Sequence, residues 1–581
     1  MSPDHSTPLQ THADPCTRKT CAIPGTFPRS GGLRRGYTRK YPLEFSAATA
    51  LFAFLLALGF CLSTLGCGGG GSSGGAVGAD TTPLAPLMNM AVPTNGYQTS
   101  GFPASGTSLS VKNFSNTQTS ELMLLNRNAS PMTVNLSAQL SDSSASVRSL
   151  HSNAIAKSDA DLSDSTLSDR LDRSARSARI YSQLRDLEKL QPLFSSGTSS
   201  GASAKSSKRA DSVGDATSFR VLLGADLSQL GSVNAICRSV TPLGATSGNL
   251  NIYLDSTLSY TTAARNFISA LAQVWPTDYA KMRTIFGEEP PANFNNLGTD
   301  ITVVLTPAVE IAGFFNSGDL FPPDQVVGGK SNQKKIFYLQ YAPDNPTVRS
   351  TFADAASTMV HEFQHMINFY QRNSRGLQEE DWLNEAMSGY AEHVCGYSMT
   401  TTNVSKAIQV QRFFLKTEQV DLTPSPWPGV LDHEHYGQVY LFGTWLGEKY
   451  GVAGSVRSLI NSSKVGKEGI TAMTGKSFDV IAAEWMLALV INDQTVGAKY
   501  GYPDINLYKS YTYDATITGT EEPLTINLSG PERVSNGASF PFSRSISIAP
   551  WTSAFVSLNG GNGTNLRLSL PSRIDTFEMH K

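Results

Sequence analysis

The sequence predicts a mixed α+β protein organised around one long buried helix. Two observations carry this. Between Ala355 and Tyr370 the apolar residues Ala355, Ala356, Met359, Val360, Phe363, Met366, Ile367 and Tyr370 recur at helical spacing, with no Gly or Pro among them. On either side lie short alternating runs such as Ile301-Thr-Val-Val-Leu305 and Leu566-Arg-Leu-Ser-Leu570, the signature of strands. A chain of 581 residues is too long for one domain. Its net charge of −2 supplies no basic excess, so composition argues against a nucleic-acid partner.

Taken in order, residues 1–67 read as a leader. Arg34, Arg35, Arg39 and Lys40 precede an apolar run from Phe45 to Leu65, the n-region and h-region of an export signal. A membrane-spanning anchor is the alternative, because about twenty apolar residues just cross a bilayer. Leu62-Ser-Thr-Leu-Gly-Cys67, followed at once by Gly68 to Gly71, resembles a bacterial lipoprotein signal, with Thr64 where the usual Leu stands. That resemblance implies lipidation of Cys67 and a protein exported to the bacterial cell surface or outer membrane, with plain secretion as the alternative. Residues 68–99 then form a flexible tether. With Cys67 lipidated, Cys237 and Cys395 remain either as a disulfide pair or as two separate buried thiols.

Residues 100–150 read as a small β domain, through runs such as Leu109-Ser-Val-Lys and Met132-Thr-Val-Asn-Leu. Residues 151–215 comprise a helical segment (Asp159 to Gln191) and a Ser-rich linker (Ser195 to Asp215) too poor in apolar residues to pack. This segment suits a removable propeptide and a structural accessory equally well. Residues 216–508 read as one larger α+β domain around the central helix. Arg220 to Leu223, Leu250 to Leu254, Ile301 to Leu305 and Lys335 to Tyr341 read as its strands, and Thr261 to Val274 as a helix between them. Gly313-Phe-Phe-Asn-Ser-Gly-Asp-Leu-Phe321 reads as a cleft-lining loop or as a turn packed by its own aromatic rings. Beyond the central helix, Tyr436 to Tyr450, Val456 to Ile460 and Phe478 to Val490 read as helices of a second lobe. Residues 509–581 return to alternation and read as a β-sandwich-like domain.

The chemistry lies in the central helix, which holds His361-Glu362-Phe363-Gln364-His365. Residues four apart on a helix sit about 40° apart around its axis, so both imidazoles can face one metal ion with Glu362 beside it as a base. After a polar break comes Asp381-Trp-Leu-Asn-Glu-Ala-Met-Ser-Gly-Tyr-Ala-Glu-His393, read as a second helix capped by Asp381. It offers Glu385 and Glu392 on nearly one face, and folding back brings a carboxylate to the two histidines.

These residues resemble the gluzincin metallopeptidases. The H-E-x-x-H motif is followed by Asn384-Glu385-Ala386 at the spacing of thermolysin-like enzymes, Trp382-Leu383-Asn384-Glu385 is similar to zinc aminopeptidases, and the segment from about Asn249 to Asp493 looks most like the hyicolysin-type peptidases. The resemblance implies a gluzincin-like α+β catalytic unit with a helical C-terminal lobe. It also implies one catalytic Zn²⁺ on His361, His365 and Glu385, Glu362 as general base, and a peptide or protein substrate. In such folds the strand before the zinc helix, here Lys335 to Tyr341, lies at the sheet edge and pairs with substrate. One departure concerns the Asp that, four residues after the glutamate ligand, orients a zinc histidine in the thermolysin-like pattern. Here that position is Gly389, and Glu392 or Ser388 is left to do its work.

The oxyanion donor is assigned to Tyr436, which opens a helix in the place where zinc aminopeptidases carry a donor tyrosine, although Gln438-Val439 replaces the Lys-Gly that follows it in that family. His433 and His435 are the rivals. The competing functional class is a surface lipoprotein binding module with a non-catalytic metal site. Intact Glu362 argues against it, since a structural site needs no base.

Overall fold

The computed structural model describes residues 98–102, 108–141, 180, 183–191, 210–223, 229–244, 247–345, 351–427, 432–451, 454–518, 522–569 and 574–580. The expectations for the apolar leader, Cys67, the glycine run after it and most of 142–209 lie outside these residues.

In chain order, four strands come first: β1 (Gln98–Phe102), β2 (Ser108–Phe114), β3 (Ser120–Asn126) and β4 (Met132–Leu140). Residues 183–189 are helical. Then follow β5 (Ala216–Leu223), β6 (Gln229–Pro242), β7 (Asn249–Asp255), helix α1 (Thr262–Phe286), β8 (Ile301–Thr306), β9 (Gly313–Phe315) and β10 (Lys335–Gln340). The helical part comprises α2 (Phe352–Asn373), α3 (Asp381–Val394), α4 (Val404–Leu415), α5 (Asp432–Tyr450), α6 (Ser455–Ile460), α7 (Gly466–Thr474) and α8 (Phe478–Ile491). A hairpin, β11 (Ser510–Tyr513) with β12 (Leu524–Asn527), leads into β13 (Arg533–Ser535), β14 (Phe542–Ile548), β15 (Thr552–Leu558), β16 (Thr564–Ser569) and β17 (Asp575–His580). The architecture is mixed α+β.

The two β segments read as separate units at opposite ends of the sequence share their sheets. One sheet runs β1-β17-β3-β15-β13 and the other β14-β4-β16-β2. β3 therefore sits between two C-terminal strands. Its run Glu121-Leu-Met-Leu-Leu125 is continuously apolar after the first residue because both faces are covered. Leu122 and Leu124 enter the sandwich core, whereas Met123 and Leu125 enter the large core shared with the helices. Arg127, just after β3, pairs with Asp575 and with Asp479 of α8 (2.7 Å), which ties the sandwich to the helical part. Local alternation identifies strands, but it carries no information on pairing across four hundred residues.

The central six-stranded sheet has the order β5-β6-β7-β8-β10-β9. β7, β8 and β10 are parallel, while β9 runs antiparallel along β10. The edge strand is thus β9, not the Lys335–Gln340 strand expected from the sequence. The aromatic stretch turns back before its loop and covers β10. Gly313 makes this possible: a Cβ there would lie 2.7 Å from both Leu339 Cδ2 and Thr358 Cγ2 and 2.8 Å from the Tyr338 carbonyl oxygen. α1 also extends past the expected end at Val274 to Phe286, straight through Pro276. Burial of Trp275, Tyr279, Met282 and Phe286 outweighs the lost backbone hydrogen bond. Cys237, in β6, and Cys395, after α3, are both free thiols, so the disulfide alternative falls away.

Candidate metal centre

The floor of the site is the α2–α3 pair. Thr351 caps α2 by accepting from the Asp354 N–H (3.2 Å). Asp381 does not cap α3 as expected. It is the first helical residue, the N-cap position falls to Glu380, and the Asp381 carboxylate instead pairs with Lys189 (3.1 Å). The helices fold back as a hairpin, and His361, His365 and Glu385 present ligand atoms that all lie within 4.8 Å of one another. Glu385 Oε2 is 3.3 Å from His361 Nε2, and its Oε1 is 3.6 Å from His365 Nε2. Glu385 is 1% exposed, yet among the described residues neither carboxylate oxygen receives a hydrogen bond. A buried carboxylate left without donors but faced by two imidazole nitrogens has the donor set and the deficit that a cation fills.

The ring nitrogens that face away from Glu385 are held differently. His361 Nδ1 is 2.7 Å from Glu392 Oε1. That carboxylate also accepts from Ser357 Oγ (2.7 Å) and Asn403 Nδ2 (2.5 Å) and pairs with Lys406 Nζ (3.1 Å). Burial alone would raise the Glu392 carboxyl, but Lys406 and His361 overcome it and hold the group down at about 2. His365 Nδ1 instead faces a neutral amide, Asn384 Oδ1, at 3.1 Å, with Ser388 Oγ close by at 3.2 Å. Burial therefore depresses the His365 imidazole well below its ordinary value. At His361 the pull of Glu385 and Glu392 exceeds the effect of burial and raises the ring to about 9.

These contacts explain Gly389. A Cβ at this position would already lie 3.3 Å from the Cα and ring of Tyr440 in α5, so the aspartate of the thermolysin-like pattern has no room. Glu392, one turn on, grips the first histidine from a roomier position. Of the two residues named as substitutes in the sequence, Glu392 serves His361 and Ser388 stands beside His365.

Glu362 is fully buried next to the group. Its Oε2 accepts from the Phe315 N–H of edge strand β9 (3.0 Å). Burial, only partly offset by His361 and Arg185, pushes its carboxyl up to about 7. The Phe315 amide has no sequence signal, because a backbone donor leaves no trace in residue type. Neither has Arg185. Its side chain is 1% exposed, and it is felt electrostatically by both Glu362 and Glu385.

His433, His435 and Tyr436 are buried near the start of α5, and because the helix already includes Asp432, Tyr436 lies a turn inside it and does not open it as expected. The Tyr436 ring packs 5.2 Å from that of Trp427, and its centroid is 5.5 Å from Lys406 Nζ, the cation that pairs with Glu392. Tyr436 thus stands one side chain away from the network that holds His361, and Trp427 is also 6.1 Å from the His435 ring.

No protein-family model matches the chain. Over 114 residues it is 26% identical to the neutral metalloprotease ShpI of Staphylococcus hyicus, a stretch covering 19% of this chain and 26% of that protein. The chain spans about a quarter of the length of the curated relative it matches. The likeness is a distant relation to a metalloprotease, and the His361–His365–Glu385 group is a candidate site for a metal.

Proposed function

We propose that this chain is an exported zinc-dependent peptidase in which Glu362 is the general base. The observation that carries the reading is the buried, donor-free Glu385 carboxylate facing His361 Nε2 and His365 Nε2, with Glu362 alongside. The ligand set of two histidines and one glutamate is that of catalytic zinc sites, which keep one position open. Bound there, zinc would polarise a carbonyl and acidify water.

The chain's own residues do the rest. Glu392 and Asn384 fix the two ring orientations through their Nδ1 contacts. Glu362 takes the proton of the attacking water and returns it to the departing amine. A substrate strand is received along β9, the edge of the sheet that lies against Glu362. Tyr436 is proposed to donate to the tetrahedral oxyanion. Export and membrane anchoring through Cys67 are proposed on the sequence alone.

The test joins metal analysis with hydrolysis of a peptide library, with and without chelator. Zinc at one equivalent and chelator-sensitive cleavage are expected, and Glu362→Gln should keep metal and fold while activity falls by orders of magnitude. Near-full activity in that variant would sink the mechanism. Bound zinc with no cleavage of any peptide would favour the non-catalytic binding module.

A further inference from the structure

The short helix at residues 183–189 bridges the outer face of the sheet and the start of α3, the helix that carries Glu385. On one side Ile180 and Leu184 pack into the apolar cluster that contains Phe314 of edge strand β9. On the other, Lys189 pairs with Asp381 at the start of α3 (3.1 Å), and Gln378 Nε2 donates to the Lys189 carbonyl (3.1 Å). Between these anchors Arg185 is buried, with Nη1 2.7 Å from Glu188 Oε1 and no hydrogen bond to its guanidinium nitrogens among the described residues. Burial works against its charge, but the carboxylates of Glu188, Glu385, Glu362 and Asp381 outweigh it. An arginine does not release its proton in a protein. Arg185 lies one turn before Lys189, and Asp381, the partner of Lys189, lies one turn before Glu385, so a permanent buried positive charge is carried alongside the helix that bears the glutamate of the metal group.

We propose that residues 183–191 are a built-in plug of the metal centre, in which Arg185 competes with the metal ion for the field of Glu385 and Glu362 and closes the site to substrate. The blocking of hydrolysis rests on the peptidase reading; the competition with metal does not.

The plug is tethered at both ends. β4 precedes it and β5 follows. Because β3 lies between β15 and β17, residues 98–141 are part of the shared sandwich and not a detachable prosegment. The plug helix is only about two turns long and so marginal by itself. The coupling is also reciprocal: whatever the plug takes from metal affinity, bound metal takes from plug docking.

The test uses the full chain as wild type, Arg185→Ala and Arg185→Lys. Zinc affinity is read by competition with a chromogenic chelator, and docking by hydrogen exchange of the amides of residues 183–191 with and without zinc. Arg185→Ala is expected to bind zinc about tenfold or more tightly, whereas Arg185→Lys, which keeps the charge, stays near wild type. In the wild type, zinc should speed exchange across 183–191. Unchanged affinity in Arg185→Ala together with zinc-independent exchange would overturn the plug. Should Arg185→Ala fail to fold, the exchange measurement on the wild type decides alone. Hydrolysis separates the two readings. A rate that rises in Arg185→Ala supports both. Tighter zinc without hydrolysis in any form keeps the plug and removes the peptidase. Full hydrolysis in the wild type, unchanged in Arg185→Ala, removes the plug and keeps the peptidase.

Discussion

The floor and the roof of the cleft are built on opposite terms. The floor, α2 with α3, comes from one stretch of about forty residues, and, Glu385 at the metal position aside, the groups that hold its two histidine rings are matched. Glu392 has four partners, and Asn384 accepts from Asn368 Nδ2 (2.7 Å) while it faces His365. The roof, made of β9 with its loop and residues 183–191, comes from segments far apart in the chain; Asp319 in the loop is supplied with donors, but residues 183–191 bury charge with little support, as at Arg185 and Glu188. Burial pushes the Glu188 carboxyl up to about 8, even though Arg185 beside it pulls the other way. A region with matched groups holds one geometry, whereas a region with unmatched buried charge sits closer to an alternative arrangement. The floor is suited to hold ligands still and the roof to move.

The floor is tested most severely through its two glutamates. Glu385→Ala should lose stoichiometric metal altogether, because it removes a proposed ligand. Glu392→Ala, which removes only the grip on His361 Nδ1, should weaken metal affinity by about 10–100-fold. Metal titration with inductively coupled plasma detection measures both. The reverse order would assign the third ligand to Glu392 and break the account of the floor.

Much of the floor is legible in the sequence, and little of the roof. His361, Glu362, His365 and Glu385 are fixed by helical spacing within two adjacent segments, and their convergence follows from a hairpin. Glu392 is visible as a second carboxylate on the same face, though only its distance to His361 separates it from a ligand. The roof depends on what lies next to what across the chain. Phe315 acts through its backbone, and Arg185 lies 177 residues before Glu362 in a leucine-bearing helical segment indistinguishable from many others. The sandwich is legible as strands and illegible as a sandwich for the same reason. Its pairs, such as Met123 with Phe555 and with Phe577, join the two ends of the chain.

The wall between floor and roof is addressed by Tyr436. If its hydroxyl donates to the oxyanion, Tyr436→Phe should lower kcat by about 10²–10³ with metal content and thermal stability nearly unchanged. A silent Tyr436→Phe beside a crippled His435→Ala would move the donor to the imidazole. Steady-state kinetics on one fluorogenic peptide distinguish the two.

The narrowest test touches only the roof's stability. Asp319, in the turn that follows β9, is fully buried. It accepts from the Asn332 N–H (2.6 Å), Tyr338 Oη (2.8 Å) and Asn316 Nδ2 (3.2 Å), so it pins the loop to β10. Burial outweighs those donors and raises its carboxyl from 3.8 to about 7. An acid raised in the folded state keeps a proton that the unfolded chain releases, so stability is highest below the unfolded value and is lost as pH climbs toward the folded one. The window runs from about pH 4 to about pH 7, and the loss across it is at most roughly 4 kcal/mol. Asp319→Asn cannot titrate. Thermal melts at several pH values should therefore show the wild type losing ground to Asp319→Asn from pH 4 to 7, with the difference constant above that. The slope is the readout and not the absolute stability, because the amide places an N–H₂ group opposite the Asn316 donor. Parallel curves for the two proteins would mean that Asp319 is already ionised inside the loop, and that the roof is better supported than its burial suggests.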